Sequence, residues 1–335
     1  MVRMKDIAER ANVSRTTVSF VLNKSKLADN LSEDTRKRVL AAAEELGYRP
    51  NEIAKAMITG KTKVLGFVSN QPEREFVARM LCGAMDGAAD ATYNIKVIPL
   101  REDGGIQRVV NTILEQCIAG VMVQGIRGDD MEELRVQLAK RSIPVARLGS
   151  SFTPDSGLRV TSADVAGAEG AVQHLIELGH TRILFLSGSK DFGSFVMRGE
   201  GYRKAMAAAG LNVDDGDFCE LSEYDEGGRL LLDIDAVREG IDAVIGRVAD
   251  SHTAIFAAND VIAVLAVQCL RNRGMKVPAD VSVVGYTDTD VARLCDPPLT
   301  VVDQPHNEMG KLAAETLIGA LEDGTINLVD SAQEI

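Results

Sequence analysis

Apolar residues in the first fifty positions recur at helical spacing. Ile7, Ala8 and Ala11 share one face of MKDIAERA, and after Asn12 a second run puts Val18, Val21 and Leu22 on one face of RTTVSFVL. Two short helices joined by a three-residue turn, over Met4 to Asn23, make a helix-turn-helix. Ser14 stands where an N-cap oxygen is needed, which leaves Arg15 and Thr16 on the exposed first turn of the second helix, where a recognition helix presents side chains to base edges. A small helical bundle with no such role has the same pattern. A third helix is predicted after Ser32, with Glu33 and Asp34 at its positive end, Val39, Leu40, Ala43 and Leu46 as its packing face, and Gly47 as its stop.

From Val64 the pattern changes. Short apolar runs (VLGFV, IKVIPL, GVMVQ, IPVARL, RILFLS, AIFAA, VSVVGY) alternate with amphipathic stretches such as EFVARMLCGAMDGAADA and DVAGAEGAVQHLIEL. Such alternation predicts parallel sheets covered by helices on both faces, an α/β class. The series restarts near Thr161 to Asp164, so two doubly wound sheets, hence two lobes with a cleft between them, are expected. Between head and core, YRPNEIAKAMITGKT allows a helix of about seven residues, too short to persist alone. Within it Ala54 and Met57 lie one turn apart. They suit two hinge helices touching through Ala54 while Met57 wedges into a minor groove, and equally a plain linker with an incidental methionine.

Charge sharpens the division. Residues 1–62 carry twelve Lys+Arg against eight Asp+Glu, a balance of +4, which leaves −16 on the other 273 residues of a chain of net −12. A polyanion is drawn to the head and repelled by the body. The start MVRMKDIAER is too polar for a signal peptide, and no apolar run of about twenty residues offers a membrane span. Five widely spaced cysteines without a Cys-x-x-Cys argue against disulfides and zinc and fit a reducing cytoplasm. There is no phosphate-binding Gly-x-x-x-x-Gly-Lys-Ser/Thr loop, no Gly-x-Ser-x-Gly elbow and no His pair at metal spacing. Enzyme, metal and cofactor chemistry are therefore not expected. A sugar carrier outside the cytoplasm, the other class with such lobes, has no use for the head.

Candidate ligand residues follow from the strand ends. Arg198 in RGEGY and Asp260 in AAND each sit just past a strand or at a helix start. Facing each other across a cleft, a guanidinium and a carboxylate would grip vicinal hydroxyls; a surface arginine and a helix-capping aspartate fit the same residues. Phe76 and Tyr224 are candidate apolar platforms under a ring, or ordinary core or surface aromatics. His180 is expected to satisfy a backbone group.

The segments MKDIAERANVSRTTVSFVLN, LSEDTRKRVLAAAEELGYRPN and AKAMITGKT resemble the head and hinge of the lactose/galactose repressor (LacI/GalR) family. HLIELGHTRILFLSG, RGEGYRKAMAAAGL, AIFAANDVIA, VPADVSVVGYTD and PPLTVVDQP are similar, in the same order, to its core. The resemblance implies a head at 1–49, a hinge at 50–61 and a two-lobed, periplasmic-binding-protein-like core at 62–335. The first lobe would take about 62–161 and 290–318, the second about 162–289 and 319–335, with crossings near Thr161, near Asp288 and close to the end. It implies DNA contacts from Ser14, Arg15, Thr16, Thr17, Ser19, Phe20, Asn23, Ala54 and Met57, and effector contacts from Arg198 and Asp260. It also implies a cytoplasmic homodimer on a pseudo-palindromic operator, controlled by a sugar or sugar phosphate. A nucleobase or a protein co-regulator are alternatives, a stacked base being disfavoured by an aromatic content of 4% without Trp. Phe20 stands where relatives often carry Arg or His, Met57 where they carry Leu. Tyr286-Thr287-Asp288 replaces Phe-Asp-Asp, Asp164-Val165 replaces Asp-Asn, and relatives continue into another strand after the helix that precedes Ile335.

Overall fold

The computed structural model describes residues 2–23, 25–49, 62–100, 105–126, 128–150, 157–190, 192–221, 234–323 and 332–334. The expected hinge residues Ala54 and Met57, and Tyr224, lie outside them. Two compact units divide the chain, Met1–Thr62 and Lys63–Ile335.

In the first unit, α1 (Met4–Ala11), α2 (Arg15–Leu22) and α3 (Glu33–Glu45) close over Ile7, Ala8, Ala11, Val18, Val21, Val39, Ala42 and Ala43. Asn12 takes the left-handed conformation (φ 52°) that ends α1 and turns the chain toward α2. Ser14 Oγ accepts the Thr17 backbone N–H at 3.0 Å, and Ser32 Oγ accepts that of Thr35 at 3.2 Å, so both expected caps form. Leu40 departs from the expected packing face. It is 53% exposed, and Ala42 takes the buried position beside Ala43, because a helix that buries residue 39 buries 42 and 43 and turns 40 outward.

The second unit holds two parallel sheets. The first is ordered β11-β5-β4-β3-β1-β2, from β1 (Val64–Ser69), β2 (Asn94–Pro99), β3 (Gly120–Gln124), β4 (Val145–Leu148), β5 (Leu158–Thr161) and β11 (Ala332–Glu334). The second is ordered β10-β9-β8-β6-β7, from β6 (Ile183–Ser187), β7 (Phe218–Glu220), β8 (Ala254–Ala257), β9 (Ser282–Thr287) and β10 (Thr300–Asp303). Without β11 the two orders are the same, 2-1-3-4-5 in each lobe. Each sheet is sandwiched between two apolar clusters, which is why its strands are near-continuous Val, Ile, Leu and Phe.

The lobe boundaries differ from those expected. Residues 300–303 belong to the second lobe, since β10 pairs with β9, and residues 332–334 to the first, since β11 pairs with β5. The described elements therefore cross between lobes at 161–164 and again at 303–306, not near Asp288. A final strand does follow the last helix. That helix, α12 (His306–Asp323), enters the first lobe by crossing α4 (Glu75–Ala89) at very short range. A Cβ on Gly83 would lie 1.8 Å from the Asn307 carbonyl oxygen, and one on Gly310 1.8 Å from that of Met80. This contact fixes where the first residue of α12, His306, meets the cleft.

Candidate functional site

A parallel sheet of order 2-1-3-4-5 offers a ligand crevice beyond the carboxyl ends of its first and third strands. Both lobes place theirs on one cavity. The first lobe supplies Asn70 and Gln71 after β1 and Gln124 to Ile126 from the end of β3; the second supplies Asn259 and Asp260 after β8. The cavity has a volume of about 360 Å³. Its wall also includes Phe76, Arg147, Ser150, Asp164, Phe195, Arg198, Thr289, Gln304 and His306.

Arg198, on α8 (Gly193–Ala208), is 5% exposed and is no surface residue. Its Nε donates to Asp164 Oδ1 at 2.9 Å, Nη1 to the Ala258 carbonyl oxygen, and Nη2 to Gln304 Oε1 at 3.0 Å, while its guanidinium stacks 3.9 Å from the Tyr286 ring centroid. Gln304 Nε2 donates to Ser162 Oγ at 2.7 Å and Ser150 Oγ to Asp164 Oδ2 at 2.7 Å. Asp164 and Ser162 lie in one crossing and Gln304 in the other, so Arg198 knots the two interlobe strands to the end of β8. A fully engaged fork in a dry site orients its neighbours as strongly as it is oriented by them. Burial also pushes the Tyr286 hydroxyl up to about 12.

Asp260, 3% exposed, begins α10 (Asp260–Asn272), and its Oδ2 accepts from the Thr289 backbone N–H at 2.8 Å and from the Thr289 hydroxyl. Asp260 and Arg198 were expected to oppose each other across the cleft. Both instead belong to the second lobe, and the carboxylate bonded to Arg198 is Asp164. Phe76 lies on the cavity wall, its ring 5.5 Å from that of His306.

His306 is a residue the sequence reading passed over. Its ring is 3% exposed, its Nδ1 has no hydrogen-bond partner, and burial together with the charges of Arg198 and Arg79 pushes its pKa down to about 3. The imidazole is therefore neutral at physiological pH. His180 bonds two hydroxyls, Thr253 Oγ1 at 2.8 Å and Ser282 Oγ at 3.0 Å, where a backbone group was expected.

A clasp spans the cleft mouth. Glu75 Oε2 accepts the Asp290 backbone N–H at 2.9 Å and Arg79 Nη1 donates to the Asp288 carbonyl oxygen at 2.9 Å, while Glu75 and Arg79 pair with each other at 2.6 Å. Both partners lie in the second lobe, beside Thr287 and Asp288, which hold positive φ angles of 105° and 59°. The Arg293 guanidinium holds the Asp288 carboxyl below the usual carboxylate range.

On the head, Arg15, Thr16 and Asn23 are exposed and Phe20 is half-exposed. The Ser14 hydroxyl is engaged by the helix end and by Thr17 Oγ1 at 2.9 Å, and Asn23 Nδ2 donates to Ser19 Oγ at 3.1 Å. Arg15, Thr16 and Phe20 thus carry the least committed side chains of the expected recognition set. Among the described residues no group of His, Cys, Asp and Glu could hold a metal, and no helix is long and apolar enough to cross a membrane.

Residues 3–51 match the family model described as bacterial regulatory proteins, lacI family, and residues 172–329 match a periplasmic binding protein-like domain. The HTH-type transcriptional repressor PurR of Photobacterium profundum is 31% identical over 334 residues, covering 96% of this chain and 93% of that protein. The ribose operon repressor of Haemophilus influenzae is 30% identical over 98% of this chain and 94% of its own length. Among solved structures, a transcriptional regulator CelR–cellobiose complex superposes with a TM-score of 0.71 at 29% identity, covering 100% of this chain and 97% of that one. The lac repressor dimer bound to operator shares the fold, with a TM-score of 0.79 at 24% identity over 100% and 96% of the two chains. With a helix-turn-helix head, a two-lobed core and full-length relatives that are repressors, the chain belongs to the lacI family of bacterial regulatory proteins, DNA-binding transcriptional regulators rather than enzymes.

Proposed function

We propose that this regulator is a cytoplasmic repressor that binds a pseudo-palindromic operator as a homodimer and responds to a sugar or sugar phosphate held between its core lobes. The observation that carries the reading is the 360 Å³ cavity at the strand ends of both lobes, with a buried, hydrogen-bonded polar wall. A ligand there touches both lobes and so has a different affinity for different lobe angles, which is the requirement for any effector. The relative named for the ribose operon and the cellobiose-bound regulator support a carbohydrate. In this reading Phe76, Arg198 and Asp260 belong to the effector site, Arg15, Thr16 and Phe20 read bases, and residues 50–61 carry the signal from core to head. A coupling of roughly 1–3 kcal/mol, about 5- to 150-fold in affinity, suffices to switch a promoter.

A second reading, a planar base as effector, has one observation in its favour. Phe76, Phe192 and Phe195 all line the cavity, so three of the nine phenylalanines gather here despite the low overall aromatic content. A thermal-shift screen of the full-length protein against sugars, sugar phosphates and purines, followed by operator-binding anisotropy with each stabilising compound, tests both. Stabilisation without any change in operator affinity would refute control by the cleft.

A further inference from the structure

We infer that His306 is a specificity-determining residue of the effector site: its imidazole, left without a hydrogen-bond partner by the protein, takes one from the effector, which carries a hydroxyl or a ring nitrogen at the end of the cavity walled by Phe76 and α12. This rests on the effector-site reading and deepens it. Among the described residues, two buried side-chain polar atoms have no hydrogen-bond partner, Arg36 Nε in the head and His306 Nδ1 in the core, and of the two residues only His306 lines the cavity. Such an atom gives up its water for nothing, and a native fold that keeps one has a use for it.

The surroundings explain why the ring finds no partner within the protein. The Gln304 carbonyl oxygen, which favours a proton on the ring, is already bonded by the His306 backbone N–H at 2.7 Å and closes no hydrogen bond with Nδ1. Phe76, whose ring stands 5.5 Å away between centroids, offers no polar atom. Nor can the ring retreat into solvent. Its backbone opens α12 where that helix crosses α4, so closely that a Cβ on Gly83 would meet the carbonyl oxygen of the next residue, Asn307, at 1.8 Å. Burial and the charges of Arg198 and Arg79 push the imidazole pKa down to about 3, so the ring is neutral and has one donor and one acceptor. A ligand hydroxyl, which both donates and accepts, can bond whichever nitrogen the ring turns toward it about χ2. The place of the residue gives that bond a consequence. His306 follows the second crossing, two residues after the Gln304 side chain that bonds Arg198, so an effector held by it touches a connection between the lobes.

The test uses full-length protein isotope-labelled at histidine nitrogen and titrated with ribose, glucose, cellobiose and guanosine, thermal shift identifying which of them bind. With a bound probe, the ring-nitrogen resonances of His306, assigned by their loss in His306→Phe or His306→Asn, should move, while those of the other three histidines, His174, His180 and His252, stay in place. His306→Phe keeps an aromatic ring beside Phe76 and removes both nitrogens, so it should bind that probe about tenfold or more weakly by calorimetry. A residue that only packs would leave the resonances unmoved, and the wild-type spectra decide the matter if the variant fails to fold. A probe that binds without moving the His306 resonances, or with unchanged affinity for a folded His306→Phe, overturns the inference and leaves the effector site intact. Failure of every probe to bind, in a preparation that still binds DNA, overturns the effector-site reading and the inference together.

Discussion

Replacing Arg198 with alanine should destabilise the core unit by about 3–5 kcal/mol, the range for breaking a buried ion pair by removing one partner. The magnitude follows from what is stranded. Asp164, 2% exposed, keeps the Ser150 hydroxyl but loses its cation; Gln304 Oε1 and the Ala258 carbonyl oxygen lose charged donors, and the Tyr286 ring loses its guanidinium. For a unit of this size the melting temperature should fall on the order of 10 °C. Calorimetry and urea unfolding of the full-length protein measure it. Asp164→Leu alone should be costly for the converse reason, whereas Arg198→Met with Asp164→Leu should cost clearly less than the sum of the single changes. Arg198→Lys keeps the charge but cannot reach three acceptors in fixed directions, so it should not restore stability. A loss under about 1 kcal/mol for Arg198→Ala would refute the view that Arg198 ties the two crossings together, leaving it a ligand contact alone.

Other consequences are equally open to test. His306 has a folded pKa of about 3 against 6.5 for the unfolded chain, so the unfolded state binds more protons between those values and stability falls as pH is lowered through that window. Between pH 6.5 and 5 this amounts to roughly 2 kcal/mol, and the slope attributable to it should vanish in His306→Asn, read by urea unfolding at each pH. Glu75→Ala opens the clasp at the cleft mouth; the Asp290 amide should exchange with deuterium at least about tenfold faster, and an unchanged rate would show that the Glu75 contact does not hold the lobes. Phe20→Ala should weaken binding to a thymine-bearing operator by about 1 kcal/mol per half-site, the scale of one buried methyl contact, and replacing that thymine with uracil should erase the difference.

The head could be read from the chain because its determinants are local. Ser14 and Ser32 cap the amides three residues on, and apolar period alone picks out the buried packing residues except Ala42, in whose place it names the exposed Leu40. The βα series of the core is legible for the same reason. What the chain could not reveal is which strand joins which sheet, since TVVD and AQE carry no mark of their partners. Nor could it distinguish Asp164 from Asp260 as the partner of Arg198. Both are acidic residues opening a helix, and only the tertiary path brings one of them to the guanidinium. Gln304 and His306 had a signal, a Gln-Pro-His between a strand and a helix, yet a histidine's importance comes from burial and from arginines more than a hundred residues away.

The central claim is that cleft and operator are linked, and linkage is reciprocal. The most direct test measures the affinity of the full-length protein for a stabilising cleft ligand twice, in the absence and in the presence of saturating operator duplex. The two values should differ by about 5- to 150-fold, and by the same factor with which that ligand alters operator affinity. Equal affinities with and without operator would contradict the account.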